Sequence, residues 1–143
     1  MSFDFKVEQG DLVIGPNGDL EKVENTDKLI QDILKILMTP VGTNIFFPWY
    51  GSLLSSALIG SPMEDEFIQV AATMQITSAL QTLQTMQREQ MASFQRVTAS
   101  ELLAAIKEVA VERSQIDPTY YAISVRVLTK NLRTTTATFE VTL

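Results

Sequence analysis

From Ile36 to Met63 the chain carries no Asp, Glu, Lys or Arg, and that stretch constrains everything around it. Pro40, Gly42, Pro48, Gly51 and Pro62 interrupt it, so it cannot run as a spanning helix. Lipid tolerates broken backbone only where protein or water satisfies the freed polar groups. A chain in water can hold such a segment only if its own core or a partner covers it. The run Phe46-Phe47-Pro48-Trp49-Tyr50-Gly51 is therefore expected to form a shaped, rigid loop made for packing. It points to assembly more than to chemistry.

At 143 residues a single domain, 1–143, is expected, long enough to bury a core without metal or disulfides. The chain has neither cysteine nor histidine. That removes thiol chemistry, the commonest general base, the commonest metal ligand and every Ser-His or Cys-His nucleophilic pair. A net charge of -6 argues against nonspecific nucleic-acid binding, which needs a surplus of Lys and Arg. Met1-Ser2-Phe3-Asp4 lacks the basic start and apolar run of a secretory signal, so assembly in a cytoplasm, away from a membrane, is expected. Charge is also unevenly spread. Residues 1–32 hold eight acids against Lys6, Lys22 and Lys28, whereas residues 118–143 hold Arg126, Lys130 and Arg133 against Glu140. The two ends of the molecule can thus meet neighbours of different charge.

Phe3, Phe5 and Val7 alternate with polar residues and suit a short strand or an ordered arm. Asp11–Ile14 and Leu20–Val23 flank Gly15-Pro16-Asn17-Gly18-Asp19, which reads as a β-hairpin turn. A helix is expected over 26–39, capped by Asn25 or Thr26, with Leu29, Ile30, Ile33, Leu34 and Leu37 on its apolar face. Pro40 ends it. A short helix over 52–59 and a long one over 64–94 follow. The long helix carries Ile76, Leu80, Leu83 and Met86 along one stripe and a Gln-rich, weakly charged outer face, suited to hydrogen bonding with neighbouring subunits. Thr98-Ala99-Ser100-Glu101 has capping-box spacing and predicts a helix over 99–107, and Val109 and Val111 can begin a strand. Ala122–Leu128 and Thr135–Leu143 alternate and are β-branched, which predicts a terminal hairpin. The fold class expected is α+β: a small antiparallel sheet from the N- and C-terminal hairpins, packed against a helical layer with one long helix.

Only carboxylates are left as catalytic candidates. Glu64, Asp65 and Glu66 are adjacent, but helical neighbours diverge, and glycoside hydrolysis needs two carboxyls about 5–9.5 Å apart across a cleft. Capping of the long helix accounts for the cluster. No calcium-loop or phosphate-binding glycine pattern is present, so no cofactor, metal or catalytic residue is expected.

The order of elements, with Gly10-Asp11-Leu12 through Gly18-Asp19-Leu20, Gln31-Asp32-Ile33, Thr39-Pro40-Val41-Gly42 and Pro48-Trp49-Tyr50-Gly51-Ser52, resembles the sheath-initiator or baseplate wedge subunits of contractile phage tails and related injection machines. The resemblance covers nearly the whole chain and is tightest from Gly10 to Leu54. Two departures stand out. The family's Glu-Arg in the loop is Thr43-Asn44 here, and its Glu-Pro-Arg after the long helix is matched only by Gln95-Arg96-Val97.

The resemblance implies a non-enzymatic virion component of the tail baseplate, assembled in the host cytoplasm. Its partners would be the tail sheath protein, baseplate wedge proteins, and tail tube or hub proteins. An alternative, from a label some family members carry, is a peptidoglycan-degrading, lysozyme-like hydrolase. The wedge or tube interface is expected at Thr39, Pro40, Gly42, Pro48, Trp49, Tyr50, Gly51 and Arg96. Within that loop Phe46 and Phe47 are read as plugs for the domain's own core, and Trp49 and Tyr50 as interface anchors. The strand 134–143 has one charge and no proline, and the chain ends there, so strand addition to sheath is expected at Thr134, Thr136, Thr138, Phe139, Glu140 and Val141. Arg126, Lys130 and Arg133 would steer an acidic partner to it, and deleting 134–143 is expected to leave a folded subunit.

Overall fold

The structure, a computed structural model, describes residues 3–8, 11–58, 65–93, 96–117 and 119–142. Its elements run β1 (Phe3–Phe5), β2 (Val7–Glu8), β3 (Asp11–Leu12), β4 (Lys22–Glu24), α1 (Asn25–Met38), α2 (Leu54–Leu58), α3 (Asp65–Ala92), a 3-10 turn (Ala99–Glu101), β5 (Leu103–Arg113), β6 (Tyr120–Thr129) and β7 (Thr134–Thr142). This is an α+β chain, as the alternation and helical spacing imply. Among the described residues the two terminal hairpins lie in separate sheets and do not share one. The N-terminal strands pair among themselves, and β5, β6 and β7 make a separate antiparallel sheet in that order.

The N-terminal strands radiate from one node. Lys6 N–H donates to the Glu21 carbonyl at 2.8 Å, Glu21 N–H to Val13 at 2.9 Å, and Val13 N–H back to Lys6 at 3.1 Å. From this ring three short antiparallel arms extend: β1 with β4, β2 with β3, and Ile14 with Leu20. The Gly15–Asp19 turn closes the last arm, with Gly18 at φ +81°, where an L side chain is disfavoured.

Helix α1 buries Leu29, Ile33, Ile36 and Leu37, each contributing about 1.5–3 kcal/mol of transfer free energy. Its start departs from the expected cap. Glu24 occupies the N-cap without a side-chain bond, and Asn25 sits at φ +56°. The Asn25 carboxamide oxygen instead accepts the hydroxyls of Thr98 at 3.0 Å and Ser100 at 3.3 Å, tying the helix start to the 3-10 turn. Helix α3 adds Ile68, Ala72, Ile76, Ala79, Leu80 and Leu83 to the same core. From β6, Tyr121, Ile123, Val125 and Val127 meet them, with Ala137 and Val141 of β7 beside.

The expected helix over 99–107 stops after one turn. Thr98 N–H donates to the Glu101 carboxylate at 2.6 Å, so the capping contact exists. Leu102 then turns extended (φ -99°, ψ 129°) and β5 begins. The reason for the misreading lies in the register. Leu103 pairs with Thr129, Ile106 with Val127 and Val109 with Val125, with bulges between Leu103 and Ala105 and between Ile106 and Glu108. Each bulge inserts one residue. Core-facing side chains therefore recur at a spacing of three, as in a helix.

Candidate functional site

The uncharged segment forms a loop closed at its neck. Ser52 N–H donates to Thr39 C=O at 2.8 Å and Val41 N–H to Ser52 C=O at 3.2 Å, a parallel bridge that brings the loop's ends together. Thr39 also bonds back into α1 through its hydroxyl, 2.6 Å from the Lys35 carbonyl, and the Ser52 hydroxyl reaches Leu37 C=O at 2.6 Å. Gly51 is fixed by space: it has φ +122°, and a Cβ there would lie 2.3 Å from the Thr39 carbonyl oxygen. Gly42 also has positive φ (+90°), but open space surrounds its missing Cβ, and its N–H donates to Pro48 C=O at 3.0 Å. At the tip the Asn44 side chain accepts Phe46 and Phe47 N–H at 3.0 and 3.2 Å.

This framework turns aromatic side chains outward. Phe46 is 85% exposed, so it is no core plug, and Phe47 and Trp49 are half exposed with their rings in edge contact at 5.6 Å. Tyr50 does the reverse of what an anchor does: it is half-buried and packs on the core. Burial, then the negative charges of Asp32 and Asp4, push its phenol up to about 12. Pro40, Gly42 and Pro48 are exposed and Thr39 half-buried, while Gly51 is buried in the neck. Arg96 is exposed on the segment that follows α3.

Phe47, Trp49 and Tyr50 form one wall of a groove of about 330 Å³, facing Met86 and Gln90 of α3 and Ser93 just after it. Lys28 and Asp32 line it as an ion pair at 2.7 Å. Burial raises the Asp32 carboxyl above its ordinary value, and Lys28 opposes that rise. Beside it, the Asp4 carboxylate pairs with Lys35. Burial pushes Asp4 up, but bonding to Lys35, Phe5 N–H and Gln31 outweighs it and leaves the carboxyl below its usual value. An apolar wall beside the paired Lys28 and Asp32 suits side-chain docking.

The second candidate surface is β7. Thr129 N–H bonds Arg133 C=O at 2.9 Å, and the pairing continues through Val127–Thr135, Val125–Ala137 and Ile123–Phe139. Bonded pairs alternate in an antiparallel ladder, so the backbone groups of residues 135, 137, 139 and 141 point to β6. Those of Thr134, Thr136, Thr138 and Glu140 point to the open side, and their side chains are exposed. Phe139 and Val141 are different. Their side chains pack on the helices and their backbone is spent on β6, so they leave the expected set of edge residues. With Ala137 they are also why deletion of 134–143 would open the core rather than spare it.

The other side of the sheet is closed by glutamines that sequence reading assigned to neighbouring subunits. Gln69 binds β5 at Val109 and Val111, Gln87 binds Glu101 C=O at 3.0 Å and Leu103 N–H at 2.8 Å, and Gln84 reaches Ala104 C=O at 3.0 Å. The outer edge of β5 is thus capped at Leu103, Ala104, Val109 and Val111, whereas no side-chain amide is seen on the outer edge of β7 among the described residues.

Of the steering charges, Arg126 lies on the central strand and pairs with Glu108 at 3.0 Å, away from the edge. Lys130 and Arg133 are exposed at the β6–β7 turn, held there by Lys130 N–H to Leu102 C=O at 3.0 Å. Glu64 lies outside the described residues, and Glu66 is exposed on the first turn of α3. Among the described residues no group of His, Cys, Asp or Glu is placed to hold a metal, and no helix is long and apolar enough to cross a membrane. Sequence reading missed the exposed apolar stripe Phe67, Val70 and Met74 on α3. Its signal was available: no charge occurs between Glu66 and Arg88, so neither side of that helix is marked for solvent.

No family model matches the chain, and no curated protein matches it.

Proposed function

We propose that this chain is a non-enzymatic structural subunit of a contractile tail baseplate. In this reading the 39–51 loop docks on wedge and tube or hub proteins, and β7 starts the sheath by accepting a strand from the first sheath subunits. The observation that carries it is the asymmetry of the sheet: the outer edge of β5 is capped at several points by side-chain amides, whereas Thr134, Thr136, Thr138 and Glu140 present backbone donors and acceptors on β7. An open edge left unused is an aggregation hazard, and an open edge used gives affinity through the backbone and register through alternate side chains. Lys130 and Arg133 at one end of that edge favour an acidic partner segment. The outward aromatic loop, rigid and free of charge, matches the profile of residues that dominate interface energetics.

The test uses proline on the open edge. Thr136→Pro and Thr138→Pro remove only N–H groups that face outward, the one place a strand tolerates proline. The expected result is a folded subunit that joins the baseplate and fails to nucleate sheath. Sheath growing normally from both variants would overturn the reading.

A further inference from the structure

We propose that α3 pairs antiparallel with α3 of a second copy of this chain, through the stripe that faces away from the core. Phe67, Met74 and Gln81 recur every seven residues along α3, and Ala71, Ser78 and Thr85 recur every seven between them. Positions at these interleaved seven-residue spacings share one continuous face of the helix, the geometry of a helix–helix seam. The core-facing residues of α3 lie on the opposite side, and this seam is bare: Phe67 is 61% and Met74 65% exposed, with Val70 beside them. Bulky residues occupy one set of positions and small residues the other.

That alternation selects the partner and its direction. In antiparallel packing, Phe67 faces Thr85 of the second copy, Met74 faces Ser78, and Gln81 faces Ala71, so every bulky residue meets a small one. Parallel packing sets bulk against bulk and leaves hollow layers between. Charge makes the same selection. The first charge before the seam is Glu66 and the first after it is Arg88, and at 100° per residue both fall on one flank. Antiparallel copies set the acidic start of α3 (Asp65, Glu66) near the other's mixed Arg88-Glu89 end, whereas parallel copies would set the two acidic starts side by side. Opposed helix dipoles add to the preference. The surface is thus complementary to itself about a two-fold axis. The pairing concerns the free subunit and does not rest on the baseplate reading.

Because the chain has no cysteine, engineered thiols report without background. Met74→Cys and Ser78→Cys are separate surface changes that leave the core untouched, which circular dichroism verifies for each. The 143-residue chain is first weighed by sedimentation equilibrium across the micromolar range, where twice its 15.9 kDa mass is expected. Each Cys variant is then oxidised alone and in an equal mixture. The proposal expects the mixed sample to cross-link at least several-fold more than either variant alone, because residue 74 faces residue 78 and neither faces itself. It also expects Met74→Glu to give a folded monomer. A monomeric wild type, equal cross-linking in all three samples, or a dimer indifferent to Met74→Glu would each overturn it. So would a seam that binds only the helix of a different protein.

Discussion

Gln69 on α3 holds the outer edge of β5 through Val109: its Nε2 donates to the Val109 carbonyl at 2.8 Å while its Oε1 accepts Val111 N–H at 2.9 Å. A side-chain amide carries one acceptor and two donors, so it can satisfy a carbonyl and the N–H two residues on, as a neighbouring strand would. Gln87 repeats this at Glu101 and Leu103. Gln31 of α1 repeats it at Phe5 C=O and Val7 N–H, at 2.7 and 2.9 Å, which fastens the N-terminal arms to the helix. Three helical glutamines therefore complete strand edges, and β7 has no such guard among the described residues.

Truncating one of these amides is expected to be costly. Gln87→Leu orphans Leu103 N–H and Glu101 C=O at a buried site, a loss of roughly 2–3 kcal/mol. Gln81→Leu, on the exposed side of the same helix, should change the stability of the monomer by less than about 0.5 kcal/mol. Urea denaturation of the two variants separates them, and equal effects would refute the edge-closing role.

The loop neck predicts an ordering among glycines. Gly51→Ala drives a Cβ to 2.3 Å from backbone at Thr39 and strains φ, so a loss of about 3 kcal/mol or more is expected. Gly42→Ala meets no atom within 4 Å and bears only the φ penalty, about 1–2 kcal/mol. Thermal melts of the pair should rank them in that order.

At high pH the Tyr50 phenol becomes a liability. Below pH 10 it is neutral in both states; above that value the unfolded phenol ionises while the folded one keeps its proton to about 12. Its contribution is thus present below pH 10 and lost as pH rises through that window. Stability of the wild type relative to Tyr50→Phe should fall between pH 10 and 12, and a constant difference would contradict the burial assigned to it.

The β6–β7 turn is built on a residue that suits it poorly. Leu132 sits at φ +66°, in the place glycine usually takes in a three-residue hairpin loop, and it is exposed. Leu132→Gly relieves a penalty of about 1–2 kcal/mol, partly offset by glycine's greater unfolded freedom, so a net gain of up to about 1 kcal/mol is expected in denaturant midpoints.

Much of this architecture was legible in the residues themselves. The spacing of Leu29, Ile33 and Leu37, the break at Pro40 and the alternation of β6 and β7 all yield the elements observed. The errors share a cause, which is that tertiary contacts reassign residues with two possible uses. Bulges made Leu103 and Ile106 look helical. Glutamines that look solvent-facing were recruited by the edge of β5. Phe46 looks like core by hydrophobicity alone, yet Asn44 and the loop neck hold it outward. In β7 the residues were read correctly as a strand, but the division between edge and core required the register. Hydrophobicity placed Phe139 and Val141 with the edge residues; pairing with β6 removes them.

Residue-resolved hydrogen exchange on the subunit, free and after addition of sheath protein, tests the account most directly. In the free subunit, amides of Ala137 and Phe139 should be protected and those of Thr136, Thr138 and Glu140 should exchange fast, because only the first set faces β6. On sheath addition the fast set should become protected while the 39–51 loop is unchanged. Fast exchange that persists at Thr136, Thr138 and Glu140 in the sheath-bound subunit would contradict strand addition at β7.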